Sequence, residues 1–179
     1  MPFSRREVTL LHVRGRGVED ADLAGYQGLV IGPGPMDPER AGLVEIVRAA
    51  AARHLPTLGI CLGHQAIGMA FGARLVRTPP VHGKTTELQF TSSRWLPLAQ
   101  GPWTVMRYHS LAVDQVKAPL RTTALSPEGV VMALEHQTLP ILGLQFHPDS
   151  YASQRGPELL ESFFRAAGVF GGGERGDAP

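Results

Sequence analysis

The segment that most constrains this chain is Gly59-Ile60-Cys61-Leu62-Gly63, which has the form G-x-C-x-G. A short apolar run, Leu58–Cys61, leads into it, and a small, apolar helical segment, Leu62–Phe71, follows it. This is the pattern of a nucleophile elbow with cysteine in place of serine. In such an elbow the central residue is strained, and the flanking glycines remove side chains that would collide across the turn. The segment therefore predicts an α/β fold with a thiol at a helix N-terminus, where the helix dipole favours the thiolate.

Cys61 is the only cysteine in the chain, which excludes an internal disulfide framework and a CxxC zinc site. A lone free cysteine is most often a buried structural residue. Here the strand, the sharp turn and the helix occur together, and that combination favours a nucleophile over a structural role.

The remaining apolar runs complete an α/β pattern. Leu29–Ile31 leads into the loop Gly32–Pro35, as a buried parallel strand does. Asp37 is predicted to cap a helix that has Pro38 at its first position and ends near His54. Further strands are predicted at Val8–Val13, Leu75–Val76, Leu88–Phe90, Trp103–Tyr108, Val130–Glu135 and Ile141–Phe146, and a closing helix at Pro157–Ala167. This order predicts a parallel sheet first and antiparallel additions later.

Length and charge limit the classes of protein to consider. At 179 residues we expect one domain, residues 1–168, followed by a flexible Gly-rich tail, residues 169–179. A net charge of +1 gives no electrostatic indication of nucleic acid or an anionic membrane as a partner. The N-terminal apolar run is too short for a signal peptide, and no run of about 18 apolar residues occurs. We therefore expect a cytoplasmic enzyme.

A thiolate nucleophile needs a base, and His147 is the candidate among seven histidines. It follows an apolar strand, and α/β proteins place their sites at the carboxyl ends of strands. Asp149 is two residues away and close enough in sequence to orient the imidazole. The alternative for His147 is a polar residue at a strand end, and the other six histidines have ordinary structural explanations.

Four separated segments together resemble the class I (triad) glutamine amidotransferases. These segments are Gly32-Pro-Gly-Pro35, Gly59-Ile-Cys-Leu-Gly-His-Gln65, Arg107-Tyr-His-Ser-Leu111 and Gln145-Phe-His-Pro-Asp149. The resemblance covers about residues 8 to 167. Val81–Thr85 and Arg107–Leu111 resemble the branch that serves chorismate in anthranilate or aminodeoxychorismate synthesis. The choice between the tryptophan and folate pathways stays open.

The resemblance implies a three-layer, flavodoxin-like fold with a mostly parallel central sheet and helices on both faces. It implies that L-glutamine is hydrolysed by a Cys61–His147–Asp149 triad, with ammonia passed to a chorismate-using synthase subunit. No metal or organic cofactor is implied. The substrate-binding positions that it implies are Gly34, Pro35, Met36, Leu62, Gln65, Ser110 and Leu111.

Two departures from the family pattern matter. The family's orienting acid is normally Glu, and Asp149 is shorter by one methylene; we expect Asp149→Glu to leave activity unchanged or to raise it. The chain also begins at what matches the family's second strand. This predicts that the first βα unit is missing and that the isolated chain is marginally stable or depends on a partner.

Two other functions remain open at this stage. A non-catalytic regulatory or scaffolding relative would retain the partner surface while its site decays; Asp149 and the short N-terminus favour it, whereas Cys61, His147 and Gln65 oppose it. A hydrolase of the same fold would release γ-glutamyl groups without a synthase, and the chorismate-branch segments speak against that.

Overall fold

The computed structural model describes Thr9 and residues 23–170. The predicted strand Val8–Val13 lies, apart from Thr9, outside the described residues. The expected missing βα unit also concerns the part of the chain before residue 23.

A single seven-stranded sheet organises the described residues, with helices packed on it. The strands are β1 Leu29–Ile31, β2 Thr57–Ile60, β3 Arg74–Phe90, β4 Gly101–Asp114, β5 Leu120–Leu125, β6 Val131–His136 and β7 Ile141–Leu144. The helices are α1 Leu43–Ala52, α2 Leu62–Ala70 and α3 Gly156–Ala166. The spatial order of the strands is β1-β2-β7-β6-β5-β3-β4.

The sheet is mixed. The β1–β2 and β2–β7 pairs are parallel, and the pairs from β7 through β6, β5 and β3 to β4 are antiparallel. This confirms the α/β class and the order of a parallel part followed by antiparallel additions. A mostly parallel sheet was expected, but among the described residues only three of the seven strands, β1, β2 and β7, form parallel pairs.

Two strands differ from the sequence-based expectation. The predicted strands Leu75–Val76 and Leu88–Phe90 are the two ends of one long strand, β3, which pairs with β4 through two register shifts. The shifts accommodate Pro79-Pro80 and Gly83, residues that usually interrupt a strand. β5 was not predicted, because its sequence LRTTAL has little apolar alternation.

Helix α1 begins later than predicted. Asp37 does accept backbone N–H groups through its Oδ1 atom, at 2.9 Å from Glu39 N and 3.2 Å from Arg40 N. These bonds cap a turn rather than the helix, because Gly42 adopts φ 71° and the regular helix starts only at Leu43. The expected apolar face is nevertheless present, since Leu43, Ile46, Val47 and Ala50 are buried.

Apolar side chains form cores on both faces of the sheet. Leu142 packs with α3 residues Leu159 and Phe163 on one face, whereas its neighbour Ile141 packs with α1 and α2 on the other. Successive residues of a strand point to opposite faces, so these contacts place helices on both sides of the sheet, as expected. No helix in the described part of the chain is long and apolar enough to cross a membrane.

The first two residues of the predicted tail, Val169 and Phe170, contact α3. Val169 N donates to Phe164 O at 2.9 Å, and the ring of Phe170 lies 5.5 Å from that of Phe164. The rest of the predicted tail, residues 171–179, lies outside the described residues.

Candidate active site

The turn between β2 and α2 holds Cys61 in the backbone conformation expected of an elbow. Cys61 has φ 53° and ψ −98°, the positive φ that non-glycine residues adopt at a strained site. A Cβ on Gly59 would lie 2.4 Å from the carbonyl of Gly63, and one on Gly63 would lie 2.2 Å from Ile31 O. The two flanking glycines are therefore required by close backbone approach, as the G-x-C-x-G pattern predicts.

Cys61 and His147 open into the same cleft, a cavity of about 390 Å³ at the carboxyl ends of the parallel strands. Of the predicted substrate-binding residues, all but one line this cleft. The cleft-lining members are Gly34, Pro35, Met36, Gln65, Ser110 and Leu111. Leu62 is buried behind the turn and is not among the cleft-lining residues.

The thiol of Cys61 is largely enclosed. Burial raises its pKa, and Asp149 raises it further, whereas the Leu62 backbone N–H and the Gln145 side-chain amide lower it. The Sγ atom lies 3.9 Å from Tyr108 O and 3.7 Å from Gln145 Nε2. Hydrogen-bond donors around the sulfur thus oppose the cost of burying a thiolate.

Backbone hydrogen bonds fix the position of His147, whereas one nitrogen of its ring has no partner among the described residues. Its N–H donates to Met106 O at 3.0 Å, and its carbonyl accepts from Ser153 Oγ at 2.5 Å. Within the described residues its buried Nε2 atom has no hydrogen-bond partner. A buried ring nitrogen without a partner is an exception that calls for a chemical explanation.

Asp149 lies behind His147 but does not reach it fully. The distance from Asp149 Oδ1 to His147 Nδ1 is 3.7 Å, which is too long for a hydrogen bond. The carboxylate side chain is 64% exposed. The predicted orienting acid is therefore beside the predicted base but too far from it for a hydrogen bond, the direction expected of Asp in place of Glu.

Two other histidines near the turn are neutral and buried. Burial lowers the pKa of His64 to about 3, and burial together with Arg107 lowers that of His109 to about 4. His109 Nδ1 lies 3.0 Å from Leu111 O, and its Nε2 lies 3.3 Å from Arg107 Nε. A carbonyl only accepts and a guanidinium only donates, so the proton of His109 is on Nδ1.

The loop Gly32–Pro35 approaches the turn closely. A Cβ on Gly34 would lie 2.9 Å from Leu62 Cδ2, the end of a side chain on the first turn of α2. Gly34 and Cys61 line the same cleft, so the loop borders the space next to the thiol.

Sequence reasoning named the segments that contain the remaining cleft residues without singling those residues out. They are Pro33, His82, Tyr108 and His109. His82 stacks on Tyr108 with ring centroids 4.9 Å apart, and Tyr108 is 58% exposed at the mouth of the cleft. The buried Gln145 was part of a quoted motif, but nothing in the sequence alone places it against Cys61.

Comparison with known proteins agrees with this geometry. The family model described as "Glutamine amidotransferase class-I" matches residues 4–167. Anthranilate synthase component 2 of Mycobacterium tuberculosis is 46% identical over 155 residues, which cover 84% of this chain and 67% of that protein. Aminodeoxychorismate synthase component 2 of Escherichia coli is 41% identical over 148 residues, which cover 80% and 79%.

Solved structures share the fold as well. A Thermoplasma acidophilum protein assigned as part of a GMP synthase superposes with a TM-score of 0.76 at 27% identity, covering 85% of this chain and 78% of that one. The fold and the cleft define an α/β protein with a cysteine at a nucleophile elbow. The chain belongs to the class I glutamine amidotransferase family.

Proposed function

We propose that the chain is the glutaminase subunit of a chorismate-using synthase, making ammonia from L-glutamine for anthranilate or aminodeoxychorismate synthesis. The observation that carries this proposal is the cleft shared by the Cys61 thiol and the unpartnered Nε2 atom of His147. The relatives named as components of anthranilate synthase and aminodeoxychorismate synthase support the choice of partner.

The first half of the reaction forms a thioester. His147 Nε2 takes the proton of Cys61, and the thiolate attacks the amide carbon of glutamine. The negative oxygen of the tetrahedral intermediate accepts hydrogen bonds from the backbone N–H groups of Gly34 and Leu62. The carbon–nitrogen bond then breaks as the proton on His147 passes to the leaving nitrogen, which departs as ammonia.

The second half regenerates the enzyme. His147 takes a proton from water, which attacks the γ-glutamyl thioester. The carbon–sulfur bond breaks, glutamate leaves, and Cys61 recovers its proton. Asp149 stabilises the imidazolium through its charge at 3.7 Å. This half-reaction needs no metal or organic cofactor.

Gln65 has one polar atom left for the substrate. Its Nε2 donates at 3.2 Å both to Leu111 O and to Gln145 Oε1. The remaining Oε1 atom accepts from a donor in the cleft, and the α-ammonium of glutamine is the donor that this proposal assigns to it. Ser110 and Leu111 border the same part of the cleft.

A second candidate is a non-catalytic subunit of the same synthase. The observation that favours it is the missing hydrogen bond between Asp149 and His147. The strained backbone of Cys61 and the close packing at its two flanking glycines weigh against it. Such strain costs stability and is usually retained only at functional sites.

Glutamate release from L-glutamine separates the two candidates. It is measured with and without chorismate plus a chorismate-using synthase subunit, with Cys61→Ala as the inactive control and circular dichroism as the check of folding. Release that needs Cys61 and rises with the partner supports the glutaminase. No release from the folded wild-type chain, even with the partner, supports the non-catalytic subunit.

A further inference from the structure

Gln145 reaches the reacting sulfur from beneath the cleft. It directly follows β7, is fully buried, and donates through Nε2 to Cys61 Sγ at 3.7 Å. It is not among the residues that line the cleft, so the bound substrate is not its partner. Its two polar atoms therefore have different neighbours: the nitrogen contacts the nucleophile, and the oxygen accepts from Gln65, which lines the cleft.

The direction of this amide follows from its neighbours. Leu111 O can only accept, so the atom of Gln65 that lies 3.2 Å from it is the nitrogen. That nitrogen also lies 3.2 Å from Gln145, which must therefore present its oxygen to Gln65. The amide nitrogen of Gln145 is then the end that faces Cys61 Sγ.

The carbonyl at the start of this chain of hydrogen bonds is itself held in place. His109 Nδ1 donates to the same Leu111 O at 3.0 Å, and Arg107 Nε donates to His109 Nε2. Arg107 is buried and pairs with Glu128 Oε2 at 3.0 Å. These hydrogen bonds run from Leu111 O through the amides of Gln65 and Gln145 to Cys61 Sγ, and each one determines which atom of the next amide is the donor.

We propose that Gln145 is a further catalytic residue, whose side-chain amide donates a hydrogen bond to Cys61 Sγ and stabilises the thiolate. The proposal rests on the proposed function, because it concerns the nucleophile of that reaction. A hydrogen bond to a charged acceptor is stronger than one to a neutral acceptor, so the bond favours thiolate over thiol. The opposing contact is the carbonyl of Tyr108, which can accept only from the thiol.

Other groups also act on the sulfur. The titratable side chains around it are His82, Tyr108, His109 and His147, which line the cleft, and Asp149 behind His147. Among the described residues, none of these donates a hydrogen bond to Sγ through its side chain. The Leu62 backbone N–H lowers the pKa of Cys61 as the amide of Gln145 does, and a side-chain substitution leaves it in place.

The test is the rate at which iodoacetamide, a neutral reagent, alkylates Cys61 between pH 6 and pH 10. The chain has one cysteine, so the label reports on this site alone. Gln145→Met keeps the length of the side chain and removes the donor. We expect the apparent pKa of the thiol to rise by about one unit, which lowers the alkylation rate near pH 7 about tenfold.

The matched control is Gln89→Met, because Gln89 is exposed on β3 and does not line the cleft. It should alkylate as the wild type does. Gln145→Asn keeps an amide but shortens it by one methylene; it should raise the pKa too, and it carries the test if Gln145→Met does not fold. In glutamate release, Gln145→Met should lower kcat, calculated per folded chain from circular dichroism. Because the variant also removes the acceptor of Gln65 Nε2, the role of the donor is decided by the shift in the alkylation pKa, which loss of folded chain does not produce.

The outcomes separate this proposal from the proposed function. Absence of glutamate release by the wild type overturns the proposed function, while the alkylation profiles still test the role of Gln145. A folded Gln145→Met or Gln145→Asn variant with the wild-type pH profile overturns the role of Gln145, whether or not glutamine is hydrolysed.

Discussion

Lengthening the orienting acid is the most informative single substitution at this site. Asp149 Oδ1 stops 3.7 Å from His147 Nδ1, whereas a charge-assisted hydrogen bond needs about 2.8 Å. Asp149→Glu adds one carbon–carbon bond, about 1.5 Å, which is more than the missing distance. The substitution should therefore bring the carboxylate within hydrogen-bond distance of His147 Nδ1, where it orients the imidazole.

The gain is limited by solvent. The carboxylate is 64% exposed, so the new bond contributes about 0.5–1 kcal/mol, as exposed ion pairs do. Since 1.36 kcal/mol corresponds to tenfold in rate, kcat should rise about two- to fivefold. KM should stay unchanged, because Asp149 does not line the cleft.

The assay is steady-state glutamate release by the wild type, Asp149→Glu and Asp149→Ala. Asp114→Glu is the matched control, since Asp114 is exposed at the end of β4 and outside the cleft. Asp149→Ala should be slower than the wild type. A more than tenfold loss in a folded Asp149→Glu variant would refute the reasoning and show that the site is adapted to the shorter acid.

Three further predictions follow from packing and burial. Gly63→Ala should lower the free energy of unfolding in urea by more than about 1 kcal/mol, because its Cβ would lie 2.2 Å from the backbone atom Ile31 O, which cannot turn aside as a side-chain end can; an unchanged free energy of unfolding would contradict this. Phe163→Ala should lower the free energy of unfolding in urea by about 3–5 kcal/mol, since this ring is fully buried, and a loss below about 1 kcal/mol would contradict its place in the core. The folded-state pKa values of His64 and His109 are about 3 and about 4, below the unfolded value of about 6.5. Their contribution to the free energy of unfolding is therefore fully present above pH 6.5 and is lost as the pH falls towards 4, because the unfolded chain then binds the protons that the folded chain excludes. The free energy of unfolding should be lower at pH 5 than at pH 7.5 by about 2–4 kcal/mol, and equal values would show that these histidines are not held neutral.

Features encoded within a short stretch of sequence were predictable. The elbow needs a strand, two glycines and a helix within a few residues, and the positive φ of Cys61 follows from that local pattern. Helix α3 was predicted almost to the residue from Leu160, Phe163 and Phe164 at helical spacing. The structure buries Phe163 fully together with Leu159, which was not predicted, whereas Leu160 and Phe164 are partly buried against the core.

Features that depend on contacts between residues far apart in the sequence were not predictable. The sequence of β5 has no clear period, and β5 is a strand because it pairs along β6. Arg121 on β5 donates through Nε to the buried Glu135 on β6 at 2.9 Å. Likewise β3 continues past Pro79 and Pro80 because β4 supports both of its ends.

The site shows the same division. Cys61 and His147 are predicted as site residues from their positions at strand ends, and the structure places both in one cleft. The contact of Gln145 with Cys61 joins residues 84 apart in sequence and depends on the adjacency of β2 and β7. No local pattern could have indicated that contact.

The central claim is that Cys61 is a nucleophile for glutamine, and the most direct measurement is covalent trapping. The chain is treated with a glutamine-mimicking diazoketone and its intact mass is determined, with and without excess L-glutamine. We expect one adduct per chain, located on Cys61, that glutamine suppresses and Cys61→Ala abolishes. An unmodified Cys61 in the folded chain, or an adduct that glutamine does not suppress, would contradict it.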